Sequence, residues 1–507
     1  MYATFWALIP PLVAILLALI TKEVYSSLFV GIIVGGLFYA DFNPVATIKH
    51  IFNDGLIKVM SDPYNVGILV FLVFLGIIVA LMNKAGGSAA FGEWASKHVK
   101  SRVGAQIATI ALGILIFVDD YFNCLTVGSV MRPLTDRHKI SRAKLAYLID
   151  STAAPICIIA PISSWAAAVS GFAPEGTNGI MLFVRAIPYN FYAILTIFMM
   201  FFLAVFKLDY GPMKRHERNA MDKGDLFTVN GASQSGINNE VKGRGKVIDL
   251  IIPVLALIIC CVIGMLYTGG FFSGESFVNA FANSDASVGL VYGSFGGIAV
   301  TLLLYLIRRV MKFRDCMDCV VEGFRAMVPA IVILSLAWTL KTMTDSLGAA
   351  EYVAGVVDQS KGSYMDFLPA IVFLIAVGLS FATGTSWGTF GILIPITLKA
   401  FPLTDGSNNT LAIICVSACM AGAVCGDHCS PISDTTIMSS AGAQCNHIAH
   451  VSTQLPYALT CAAVSFATYL IAGLVRNAAI SLASGVVMMV VTLLILNHFV
   501  NPKKNLS

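Results

Sequence analysis

Apolar residues run in long blocks along nearly the whole chain, and polar residues collect between the blocks and at a few points inside them. A block of about 18 residues or more can cross a bilayer. In lipid only a helix or a closed barrel satisfies its own backbone, so blocks of this length predict helices. The blocks at about 3–21, 24–40 and 66–83 predict three spans. The block at 103–131 is different, because Lys97, Lys100 and Arg102 precede it and Arg132, Arg137, Lys139, Arg142 and Lys144 follow it. Loops rich in Lys and Arg stay on the cytoplasmic side. Both flanks are therefore expected there, and a re-entrant hairpin reconciles them. Each arm of about 14 residues would rise about 21 Å, with Phe117 to Asn123 at the tip. The stretch 145–171 holds Pro155 and Pro161 and predicts a broken helix. A further span is expected at 180–206, and the polar stretch 207–246 is expected to be a mobile cytoplasmic linker.

The same order then returns. Spans are predicted at 247–267, 288–307 and 323–343, with a short interfacial piece at 349–357. A hairpin at 366–400 turns at Gly384 to Gly388, a broken helix covers 410–440, and spans follow at 451–475 and 478–497. Small echoes accompany the repeat: Met82 with Gly87 to Ala90 matches Met343 with Gly348 to Ala350, and Asp150-Ser151-Thr152 before Pro155 matches Asp427-His428-Cys429 before Pro431. The predicted fold is an all-α polytopic membrane protein made of two inverted-topology repeats, each with a re-entrant hairpin and a broken helix. The repeats cover 1–206 and 247–475, with 478–497 an extra C-terminal span. This arrangement is the architecture of secondary transporters, with the site at mid-membrane. The segments it places inside hold 25 of the 32 Lys and Arg residues, which orients the N-terminus outside and the C-terminus inside, in a bacterial inner membrane.

Composition narrows the class further. Of 507 residues, 57% are hydrophobic and 12% charged, about half of the roughly 25% usual for a soluble domain. A net charge of +4 spread over membrane loops implies no nucleic-acid partner. Most of the twelve cysteines lie in apolar runs and read as small buried hydrophobes. Cys425, His428 and Cys429 lack a second ligand cluster, so a metal site there is not expected. The first apolar run has no basic leader or clear cleavage site, so no cleavable signal peptide is expected.

Asp119, Asp120, Asp150 and Asp427 fall at predicted helix breaks inside the membrane. An ionisable group there costs about 2.5–3.5 kcal/mol on insertion scales. Their bland reading is helix caps or loop carboxylates; their functional reading is a cation site. Hard cations take oxygen ligands, and Asn123, Ser151, Thr152, Thr383, Thr385, Ser386, Thr389, Ser433, Asp434 and Thr435 offer them nearby. Within this set, Asp150, Asp427 and Ser386 are the expected Na⁺ ligands. Gly384-x-Ser386-x-Gly388 has the spacing of a hydrolase nucleophile elbow but lacks the strand that motif needs. Its glycines are expected to let a hairpin turn. His447 and His450 are expected as solvated loop residues.

The run Gly384-Thr-Ser-Trp-Gly-Thr-Phe-Gly391 with Pro395, the run Gly426-Asp-His-Cys-Ser-Pro-Ile-Ser-Asp-Thr-Thr436, and Thr453-Gln-Leu-Pro-Tyr457 resemble motifs of the NhaC-type sodium/proton antiporter family. So do Phe117 to Asn123 and Asp150 to Trp165. The resemblance covers nearly the whole chain. It implies membership of an ion-transporter superfamily with paired hairpins, dimers and elevator-like movement, with Na⁺ and H⁺ as transported or coupling ions and no further cofactor. It also implies that a small carboxylate or amino acid is an alternative substrate, carried with Na⁺ or H⁺ or by exchange. A channel and an intramembrane hydrolase are the competing classes. Paired hairpins speak against the first and the missing strand against the second.

Overall fold

The computed structural model describes residues 1–21, 23–117, 120–161, 163, 165–166, 169, 179–228, 245–349, 351–352, 355, 365–400 and 410–500. Among them every regular element is helical. Among the described residues seven helices are long and apolar enough to cross a membrane, and the bent helix Phe313–Ser346 makes an eighth. The multi-pass helical membrane protein read from the apolar blocks is therefore what the chain forms.

The main helices, in chain order, are α1 (Ile9–Thr21), α2 (Val24–Tyr39), α3 (Pro63–Lys84), α4 (Gly87–His98), α5 (Arg102–Leu115), α6 (Asp120–Arg137), α7 (Arg142–Asp150), α8 (Phe191–Phe206), α9 (Gly211–Lys223), α10 (Ile248–Thr268), α11 (Ala286–Ile307), α12 (Phe313–Ser346), α13 (Leu368–Thr383), α14 (Ser386–Ala400), α15 (Thr410–Cys429), α16 (Asp434–Ala443), α17 (His447–Val475) and α18 (Ala478–Val500). They sort into two groups by packing. One joins α1, α2 and α3 to α10, α11 and α12; the other joins α5 to α9 with α13 to α18. The groups meet mainly where α12 touches α16, and α4 lies between them, touching α3 and α10 on one side and α6 on the other.

Local chemistry sets the starts and stops. Ser101, Ser141, Asn190, Ser433 and Asn446 each cap the helix that follows, their side-chain oxygens accepting a backbone N–H of its first turn. Gly384 ends α13 in the left-handed region at φ +68°, with the Ile432 carbonyl packed against its Cα. A side chain there meets both strain and overlap. Helix α12 bends by 41° between Val328 and Ile331, around Pro329.

Four segments differ from the sequence reading. The stretch 207–246 is not wholly a mobile linker: α9 occupies 211–223, and its Met213, His216, Glu217 and Ala220 are buried against the bundle. The spacing i, i+3, i+4, i+7 of these four is the helical signal that the surrounding charges hid. The span at 180–206 is interrupted by a turn at Ile187–Tyr189, before Asn190 starts α8. A helical stretch, part of it π-helical, runs from Pro44 to Ser61 where no element was expected. Finally, α17 starts at His447 rather than 451, which takes both histidines out of the loop.

Candidate functional site

The second group of helices contains two helix breaks, and their polar residues converge. Asp150 is the last residue of α7 and is fully buried. Asp427 lies in the last turn of α15 and is 2% exposed. The C-terminus of a helix carries about half a negative charge from its unpaired carbonyls. A carboxylate in that position adds its own charge to that of the helix end, so both places favour a bound cation or a proton.

Each of the side chains that reach the Asp150 carboxylate can offer it a proton. Gln454 Nε2 donates to Oδ2 at 2.5 Å, Thr436 Oγ1 donates to Oδ2 at 3.3 Å, and Ser439 Oγ donates to Oδ1 at 3.3 Å. His450 Nε2 lies 3.3 Å from Oδ2. The Asp150 main-chain oxygen pairs with His428 Nε2 at 3.1 Å, and His428 Nδ1 pairs with the Tyr192 hydroxyl at 3.2 Å. Asp427 Oδ2 accepts from Thr435 Oγ1 at 2.7 Å, and Ser433 Oγ lies 3.1 Å from that hydroxyl. Thr436 joins the two halves, its hydroxyl standing 3.3 Å both from Asp150 Oδ2 and from the Asp427 carbonyl oxygen.

A void of about 10 Å³, room for about one water molecule, adjoins this network, lined by Tyr147, Ser151, Tyr192, Thr196, His428, Gln454 and Tyr457 among others. A third carboxylate, the half-buried Asp434, accepts from Tyr121 Oη at 3.1 Å and from Trp338 Nε1 at 3.3 Å. Trp338 belongs to α12, so this bond crosses between the two groups of helices.

The other candidates fall in different places. Asp119 lies outside the described residues. Asp120 is buried in the first turn of α6. Asn123 closes the α5–α6 break, its amide nitrogen donating to the carbonyls of Gly113, Ile116 and Thr152 at 2.7–3.1 Å. Thr152 returns its hydroxyl to Leu148 and Ile149 of α7. In the second hairpin region Thr383 bonds to Leu379 and Thr389 to Thr385, while Thr385 accepts the Gly388 N–H. Ser386 donates to the Ala423 carbonyl at 3.1 Å, one turn before Asp427 on α15. These hydroxyls fasten the break to its neighbours, and the carboxylate contacts come instead from α16 and α17.

Of that second set, the sequence singles out Ser433, Asp434 and Thr435, while Thr436, Ser439, His450 and Gln454 were not expected there. His447 and His450 are buried, not solvated: His447 bridges the Pro431 carbonyl at 2.7 Å and Ser440 at 3.2 Å, and His450 faces Asp150. The signal was present, because His447, His450 and Gln454 recur at i, i+3 and i+7 and so share one face of an otherwise apolar helix. Among the described residues no group of three His, Cys, Asp or Glu side chains is placed to hold a metal ion.

Buried carboxylates at paired helix breaks inside a multi-pass helical bundle define a membrane transporter of the secondary class. The model of the Na⁺/H⁺ antiporter family matches residues 174–474, and the chain belongs to that family. An uncharacterized protein of Haemophilus influenzae is 38% identical over 96% of this chain and 94% of its own length. A malate-2H⁺/Na⁺-lactate antiporter of Bacillus subtilis is 29% identical over 30% of this chain and 31% of its own. An uncharacterized Na⁺/H⁺ antiporter of Haemophilus influenzae is 28% identical over 32% of this chain and 33% of its own.

Proposed function

We infer that this chain exchanges Na⁺ for H⁺, and that Asp150 and Asp427 take up the two ions in turn. The observation that carries this reading is the position of both carboxylates, buried in the last turns of α7 and α15 and joined through Thr436. Ionised, such groups are unstable in lipid without a countercharge. Na⁺ supplies one and takes carboxylate and hydroxyl oxygens as ligands. A proton supplies the other by neutralising the carboxyl outright. The two cannot occupy one oxygen set together, and that exclusion is what couples their movements.

The two groups of helices support alternating access by an elevator movement, in which the group carrying the site slides against the α1–α3 and α10–α12 group. The repeated order of hairpin and broken helix supports inverted repeats. A homodimer in a bacterial inner membrane, with the N-terminus outside, completes the proposal.

A second reading adds a small hydroxycarboxylate to the exchange. It rests on the likeness to the malate-2H⁺/Na⁺-lactate antiporter and on the hydroxyls of Tyr147, Ser151, Tyr192 and Tyr457 gathered around the small void beside Asp150, which must widen to admit an anion. His428 and the cavity hydroxyls would hold the anion while Asp150 and Asp427 hold the cation.

Purified protein in proteoliposomes separates these readings. An imposed Na⁺ gradient is expected to drive an opposite pH change without any organic acid, reported by an internal pH dye. A pH change that requires added malate or lactate would favour the second reading, and no Na⁺-driven flux under either condition would overturn both.

A further inference from the structure

Helix α9 begins five residues after the end of α8, whose final residues Val205 and Phe206 are exposed. It therefore lies just beyond the end of α8, the level at which lipid headgroups sit when that apolar helix crosses a bilayer. Its inner face is fixed to the bundle. Glu217 is buried, forms an ion pair with Arg102 at the start of α5, and accepts the Ser141 N–H at 2.8 Å at the start of α7. The chain after it stays docked as well, with the Leu226 carbonyl accepting the Arg142 N–H at 3.0 Å and Phe227 lying under the Arg142 guanidinium.

The outer face of α9 has a different character. Gly211, Lys214, Arg215, Arg218, Asn219, Asp222 and Lys223 line an open groove of about 520 Å³. Four of these side chains are cationic, and the one carboxylate, Asp222, is matched to Arg218 at 3.4 Å. Met221 is 45% exposed on the same face, three residues from Arg218 and seven from Lys214. Guanidinium and ammonium groups bind phosphate oxygens. Basic clusters next to a membrane span are attracted to anionic lipid. An exposed apolar side chain among these cations matches a ligand that has both a phosphate and a hydrocarbon part.

We propose that the outer face of α9 is a binding site for the headgroup of an anionic phospholipid. The bound lipid holds α9 against the starts of α5 and α7, the second of which carries Asp150. The inference goes beyond ion exchange, and its first readout needs no transport.

The test uses the full-length purified protein in nanodiscs of phosphatidylcholine titrated with phosphatidylglycerol, with retained lipid measured by native mass spectrometry. Parent protein is expected to retain phosphatidylglycerol at least tenfold more strongly than a K214Q/R215Q/R218Q/K223Q variant. Met221→Ser is expected to weaken retention without altering the charge. Soluble glycerol 1-phosphate at equal concentration is expected not to compete. Equal retention by parent and quadruple variant overturns the proposal, as does full competition by glycerol 1-phosphate, which would mark a site for a soluble phosphate. If the quadruple variant fails to fold, Arg218→Gln and Lys214→Gln alone, each expected to reduce retention severalfold, decide the matter by the same measurement.

Discussion

Asp150→Asn is expected to reduce Na⁺-driven proton exchange at least a hundredfold, while the protein still inserts and purifies. The carboxylate accepts from Gln454, Thr436 and Ser439 and faces His450, so its surroundings are built from donors. An amide keeps the shape but presents two N–H groups to some of those donors. Each buried polar group left unmatched costs about 1–3 kcal/mol. More important for exchange, the amide removes the charge that a cation needs and the proton that the cation displaces. The same change at Asp427 removes the second carboxylate and is expected to be comparably severe. The measurement is the initial rate of Na⁺-driven pH change in proteoliposomes, normalised to reconstituted protein. A rate equal to the parent in both variants would place the exchange site elsewhere.

Gly128→Ala is expected to be among the most destabilising single changes in the chain, although it adds only a methyl group. Gly128 on α6 lies directly against Gly442 on α16, and a Cβ there would overlap the Gly442 backbone. Main chain cannot rotate away as a side chain can, so the helices must part. Overpacking of this kind typically costs about 1–3 kcal/mol. The displaced helix is the one that carries Asp434, Thr435, Thr436 and Ser439, so transport is expected to fall with stability. Gly378→Ala on α13 is the matched control, because a Cβ there meets no atom within 4 Å. It is expected to be neutral or to stabilise by up to about 1 kcal/mol through helix propensity. Thermal unfolding of the two purified variants checks the opposite signs, and equal melting temperatures would contradict the account of the α6–α16 contact.

The contrast between these two glycines shows what the sequence carries and what it does not. Both sit in helical segments between apolar or small residues, and nothing local separates them; the difference is the helix that passes in front. The spans themselves were legible because lipid enforces long apolar runs, and the helix breaks were legible because Pro155, Gly384 and Pro431 interrupt those runs. Asp150 and Asp427 stood out as charges in apolar surroundings. Their partners did not, because Thr436, Ser439 and Gln454 are ordinary polar residues until α16 and α17 fold against α7. Helix α9 was hidden for the opposite reason, since its charges suggested a solvated linker while only one residue in three or four faces the bundle.

The proposed exchange requires Na⁺ and H⁺ to compete for the same buried carboxylates. Na⁺ binding by the purified protein, followed by calorimetry from pH 6 to pH 9 in buffers of different ionisation enthalpy, tests it most directly. Apparent Na⁺ affinity is expected to rise with pH toward a plateau, and binding at the lower end of the range is expected to release protons to the buffer. Asp150→Asn combined with Asp427→Asn is expected to abolish both the binding and the release. Na⁺ binding in the parent protein with the same affinity at every pH and no proton release would contradict it.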